Sequence, residues 1–185
     1  DGLVIGEGNA RLVEKLKPKT VSSLRLKNKV AIIVGIEKYL NSPDAVYARA
    51  DAKFFYEYSR KTFGIDEKNI KLLIDEKANL TDLFVALEKW LPSKVKENET
   101  EIIIFFAGHG LASTNGEQLY ILPYNSDPDL LNRTALSRQE LFKIVLDLKP
   151  KGLTVFFDTC FSGISRDEET LLVSARPLLL IDDNF

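Results

Sequence analysis

EIIIFFAGHG, residues 101 to 110, runs from one charged residue through six apolar ones into a histidine flanked by glycines. An apolar run without polar alternation is the pattern of a strand buried on both faces, as strands of parallel sheets covered by helices are. Four further stretches share its character: VAIIVGI at 30–36, NIKLLID at 69–75, QLYILP at 118–123 and LTVFFD at 153–158. Amphipathic segments lie between them. Residues 45–62 read as a helix closed by Gly64. A second, over 80–91, sets Leu80, Leu83, Phe84, Leu87 and Leu91 on one face and stops at Pro92. A capping box of Ser137 and Glu140 opens a third, with Leu141, Ile144, Val145 and Leu148 toward the core. Alternating strands and helices predict an α/β fold with a mainly parallel central sheet flanked by helices.

The first 28 residues do not share this order. They hold a short amphipathic piece, RLVEKLK, stopped by Pro18, and read as an N-terminal arm or linker ahead of one domain over 29–185. IGEGNA follows no full strand and opens no long helix, so its glycines do not make a dinucleotide site. A length of 185 residues suits one domain with a core of its own. The formal net charge of −2 argues against a nucleic-acid partner held through phosphates. No apolar run approaches the roughly 20 residues of a membrane span, and the N-terminus lacks the pattern of a secretory signal. With 1 Cys and 1 His, neither an internal disulfide nor a four-ligand structural zinc site can form, which points weakly to a reducing, cytoplasmic setting. The sequence contains no Met, so a processed chain or a fragment is expected.

In an open α/β sheet, ligands gather beyond the carboxyl ends of the strands. His109 stands two residues past the strand expected over 101–107, and Cys160 two residues past the one over 153–158. If these strands are parallel neighbours, both residues reach the same rim. An imidazole there can take the proton of a thiol and later return it to a leaving amine, which makes His109 and Cys160 a candidate dyad. Taken singly, the cysteine reads as an inert buried thiol and the histidine as a polar loop residue. Each sits in a glycine-bearing turn, AGHG and CFSG, and the N–H groups of Gly110 and Cys160 are candidate donors to an oxyanion.

From residue 109 to residue 160 is 51 positions, close to the spacing of about 50 between the catalytic histidine and cysteine of caspases. FFAGHG and DTCFSG resemble the two catalytic motifs of the caspase-like clan CD peptidases. VAIIVGIEKY and ARADA resemble the opening strand and first helix of metacaspases and bacterial caspase homologues. The resemblance covers residues 29 to about 180. It implies a three-layer caspase-like fold and a cysteine endopeptidase with Cys160 as nucleophile, His109 as base and acid, and no cofactor in the chemical step.

It also bears on specificity. Caspases hold an aspartate with an arginine from the first-helix region and a glutamine two residues before the nucleophile; the matching positions here are Asp51 and Asp158. Two carboxylates in the S1 pocket repel an acidic side chain and pair with Arg or Lys, so cleavage after basic residues is expected. Periodicity places Asp51 in the stripe of Ala48, Ala52, Phe55 and Tyr58 that faces the sheet, in the first turns of its helix. An internal pair with Arg49 or Lys53 is the other reading of Asp51, and a tie to the amides before Cys160 that of Asp158. Ala107 departs from the serine common in metacaspases.

The family continues past the cysteine motif into a small subunit that completes the sheet and pocket. This chain stops at LLLIDDNF, so that segment is expected to be absent here, either a separate partner chain or removed. Self-processing, a family habit, points to Arg166; Arg176 precedes Pro177 and makes a poor site. Many metacaspases are activated by calcium. Asp127 with Asp129, or Asp167 with Glu168 and Glu169, offer oxygens without matching a coordination loop. The alternative to an active peptidase is a silent caspase-like adaptor, against which the intact dyad argues.

Overall fold

The computed structural model describes residues 17–18, 28–113, 115–162 and 178–180. Its strands are β1 (Lys29–Gly35), β2 (Ile70–Ile74), β3 (Glu101–Ala112), β4 (Leu119–Ile121), β5 (Leu136–Ser137), β6 (Gly152–Ser162) and β7 (Leu178–Leu180). Its helices are α1 (Ala48–Lys61), α2 (Leu80–Phe84), α3 (Leu131–Thr134) and α4 (Arg138–Leu146). No described helix is long and apolar enough to cross a membrane.

The sheet is mixed. Among the described residues β2, β1, β3 and β6 pair in parallel, in that order, while β3–β4, β4–β5 and β6–β7 are antiparallel. Parallel pairing among the described residues is thus confined to β1, β2, β3 and β6. The two strands that carry His109 and Cys160 run further than their apolar stretches: β3 continues to Ala112 and β6 to Ser162. β1 leaves β3 at Ala107, and β4 takes up the same edge from Gly110, while β6 stays in register with β3 to the Leu111 and Ser162 pair. His109 and Cys160 therefore stand inside paired strands, not in turns beyond them. Glycines normally weaken a strand, which is why the sequence pattern stops short here.

Alternation along the strands sends side chains to two cores. Val30, Ile32 and Val34 of β1, with Ile104 and Phe106 of β3, pack with Leu83 and Leu87 and with Leu141 and Val145 of α4. Ala31 and Ile33, with Ile103, Phe105 and Ala107, pack with Ala48 and Ala52 of α1. α1 begins at Ala48 rather than at Ala45, because Tyr47 takes a left-handed backbone, φ 77°, that no helix can run through. Gly64, at φ 67°, follows its end as expected. Asn79 caps α2, its side-chain oxygen accepting the Asp82 N–H at 3.0 Å. From Val85 to Trp90 that helix widens into a π-helical stretch, and the Leu91 N–H reaches the Ala86 carbonyl at 2.8 Å. α4 opens on the expected cap, Ser137 Oγ accepting the Glu140 N–H at 3.1 Å.

Gly35 sets how closely α1 approaches the sheet. A Cβ there would lie 2.4 Å from the Ala52 Cβ and 2.7 Å from the Ala48 carbonyl oxygen, so helix and strand meet only because position 35 has no side chain. Gly35, Ala107 and Asp158 form one row across β1, β3 and β6. Two small residues and a carboxylate thus lie together at the carboxyl end of the parallel strands.

Candidate active site

His109 and Cys160 are register partners on β3 and β6. Adjacent parallel strands lie roughly 5 Å apart, so direct register brings the two backbones as close as strand pairing allows. Cys160 is described through its backbone alone. Gly110 is likewise paired, opposite Phe161 on one side and Ile121 on the other.

His109 is 8 % exposed and closely held. Its Nε2 lies 2.9 Å from the Pro43 carbonyl oxygen. A carbonyl only accepts, so Nε2 carries the proton in that contact and Nδ1 is left as the basic nitrogen. Its backbone N–H donates to the Tyr39 hydroxyl at 2.7 Å, and the two rings stand 4.8 Å apart at 32°. Burial holds the imidazole pKa below its ordinary value; the Pro43 carbonyl and the Asp44 carboxylate push it up and only partly offset this. At neutral pH His109 is accordingly a neutral base. Burial likewise raises the Tyr39 hydroxyl pKa, opposed by the hydrogen bond from the His109 amide, so Tyr39 remains a neutral phenol.

Asp51 lies in the first turn of α1, half-buried. Burial first, then the Asp158 and Glu37 carboxylates, raise its pKa. The two predicted pocket carboxylates are thus close enough to repel each other, and Glu37 joins them. The alternative pairing of Asp51 with Arg49 is not adopted: Arg49 Nε stands 2.8 Å from Asp75 Oδ2 instead. Asp158 is exposed and sits in a strand, so no turn is there for it to tie. Three carboxylates, just after β1, in the first turn of α1 and in β6, thus add negative potential at one place.

Sequence reasoning missed Tyr39, Pro43 and Asp75. The rule that placed His109 at a carboxyl strand end also applies to the segment after β1, and would have directed attention to Tyr39. Pro43 contributes a backbone carbonyl, for which no residue-type signal exists. Asp75 follows β2 with a positive φ of 47° and accepts the Glu37 and Lys38 amides at 2.8 and 3.1 Å.

No group of three or more metal-ligating side chains occurs among the described residues. Asp127 accepts the Asp129 N–H at 3.0 Å and caps a short turn. That pair does not fit a calcium site, while Asp167, Glu168, Glu169, Arg166 and Arg176 lie outside the described residues.

Residues 28–176 match the family model of the caspase domain. A solved structure of a protein from Geobacter sulfurreducens superposes with a TM-score of 0.54 at 16 % identity, covering 74 % of this chain and 52 % of that one. At that identity the likeness concerns the fold, and the chain spans about half the length of that structure. No curated protein matches the chain.

Proposed function

Because the chain belongs to the caspase-domain family of cysteine peptidases, we propose that it is the dyad-bearing part of a cysteine endopeptidase that cleaves after Arg or Lys. The register partnership of His109 with Cys160 carries the reading. Nδ1 of His109 accepts the Cys160 thiol proton, and the thiolate attacks the scissile carbonyl. The imidazolium then protonates the leaving amine, and water hydrolyses the thioester with His109 again as base. The Pro43 carbonyl holds the Nε2–H throughout and spreads part of the imidazolium charge. The N–H groups of Gly110 and Cys160 are the donors we assign to the oxyanion.

Asp51 and Asp158 form the S1 anchor, with Glu37 adding negative potential. Arg is favoured over Lys where its planar fork meets two carboxylates. Cleavage at Arg166 is the self-processing step, as in metacaspases, and a small-subunit segment is the partner that completes the pocket. No cofactor enters the chemistry.

The test is a scan of the P1 residue in fluorogenic peptides, with Cys160→Ala as control. Turnover of Arg and Lys peptides alone, lost in the variant, is expected. Preference for Asp at P1 would overturn the acidic pocket, and turnover surviving in Cys160→Ala would overturn the dyad. No turnover of any peptide would favour an adaptor.

A further inference from the structure

His109 takes more of its surroundings from the segment between β1 and α1 than from its own strand. β1 pairs with β3 only as far as Ala107, and pairing with β4 starts at Gly110, so the His109 N–H falls in the gap between two neighbouring strands. A buried amide in such a gap has no ladder partner. The Tyr39 hydroxyl fills the gap, accepting that N–H at 2.7 Å, and the tyrosine ring packs against the imidazole.

Two observations show that the tyrosine is built into this place. Gly108, at φ +154°, keeps its approach open, since a Cβ there would lie 2.4 Å from the Tyr39 hydroxyl oxygen. The segment is also tied on both sides of Tyr39. Before it, Asp75 takes the Glu37 and Lys38 amides and faces Arg49 across 2.8 Å. After it, the Leu40 N–H donates to the Tyr124 carbonyl at 3.0 Å, and the Asn41 side chain to the Ser126 carbonyl at 3.1 Å.

We propose that Tyr39 is a positioning residue for His109: its hydroxyl fixes the histidine backbone and its ring the imidazole, so that Nε2 stays on the Pro43 carbonyl and Nδ1 remains the free base. This rests on His109 being the base of the dyad. In this role the phenol acts through the histidine, by the hydroxyl on its backbone and the ring against its imidazole. The tyrosine also shields the imidazole from water. Asp44 is the charged group that bears on His109 from the same segment, and the variants below leave it in place.

The chain holds a single histidine, so the full chain labelled with 15N-histidine gives one imidazole in a long-range proton–nitrogen spectrum. The wild type should show the Nε2-protonated tautomer predominating on the alkaline side of its titration. Tyr39→Phe keeps the ring and removes the acceptor. It should lower the Nε2–H population, move the imidazole pKa toward its ordinary value, and reduce kcat on an Arg peptide about tenfold with KM changed less than about twofold. A Tyr39→Phe spectrum and titration matching the wild type would overturn the proposal, as would lost thermal stability with an unchanged imidazole. If wild-type protein turns over no peptide, the spectrum still decides the positioning, and the protease reading fails separately. Should Tyr39→Phe not fold, Asp75→Asn loosens the same segment without touching the phenol, and the same shift in tautomer is expected.

Discussion

Burying an imidazole favours its neutral form, and at His109 this sets both reactivity and stability. Its folded pKa lies below the ordinary 6.5, so the unfolded chain binds the proton more readily. The contribution to stability is complete above the unfolded value and is lost as pH falls from there through the folded pKa. His109→Asn should remove this loss: in urea unfolding between about pH 5 and 7, the wild-type midpoint should fall toward acid more steeply than the variant's. Parallel curves would contradict it. Asp51 has the opposite sign. Its folded pKa is raised, so its stabilisation is present below the unfolded value of 3.8 and is lost as pH rises through the folded pKa. Ionisation of Asp51 thus weakens the fold, a cost that the proposed basic P1 side chain would offset. Asp51→Asn should raise Tm by about 1–2 °C while lowering kcat/KM on Arg peptides about tenfold or more. A calorimetric scan and a substrate titration measure the two halves.

At the scale of the elements, α1 places Asp51 and the segment between β1 and α1 places Pro43 and Tyr39. The helix rests on Gly35, where an added methyl meets the Ala48 carbonyl at 2.7 Å and can be relieved only by moving the helix. Gly35→Ala should therefore cost about 1–3 kcal/mol in urea unfolding and depress turnover of basic peptides by displacing Asp51. Ser137→Ala removes the side-chain acceptor for the Glu140 N–H and should cost about 1 kcal/mol with turnover little altered, since α4 carries none of the proposed site residues. Equal activity losses in the two variants would show that global destabilisation, not helix placement, governs the site. The caps and stops of these helices were legible in the sequence because they are local. The late start of α1 was not: Tyr47 is no glycine, and its left-handed backbone follows from the Ala45 N–H turning back to the Glu37 carbonyl at 2.9 Å.

Across the whole molecule β3 is the organising strand, with β1 and then β4 on one edge and β6 on the other. Phe106 is 1 % exposed in the core packed by α2 and α4. Phe106→Ala should cost about 3–5 kcal/mol, read from the urea midpoint, and should also reduce alkylation of Cys160, because the strand that sets His109 opposite Cys160 loses its support. The sequence by itself marked five of the strands, the helices at 48–61, 80–84 and 138–146, and the two residues proposed as nucleophile and base. Burial and element type are written in local periodicity, and the reactive residue types are rare enough here to stand out. The tertiary structure alone decided that β3 and β6 stay paired through His109 and Cys160, that Asp51, Asp158 and Glu37 converge, and that Pro43 and Tyr39 hold the histidine. Those partners lie 66 and 70 residues from His109 in the chain. Contacts at that separation depend on how strands cross over and register, which no local pattern of residues encodes.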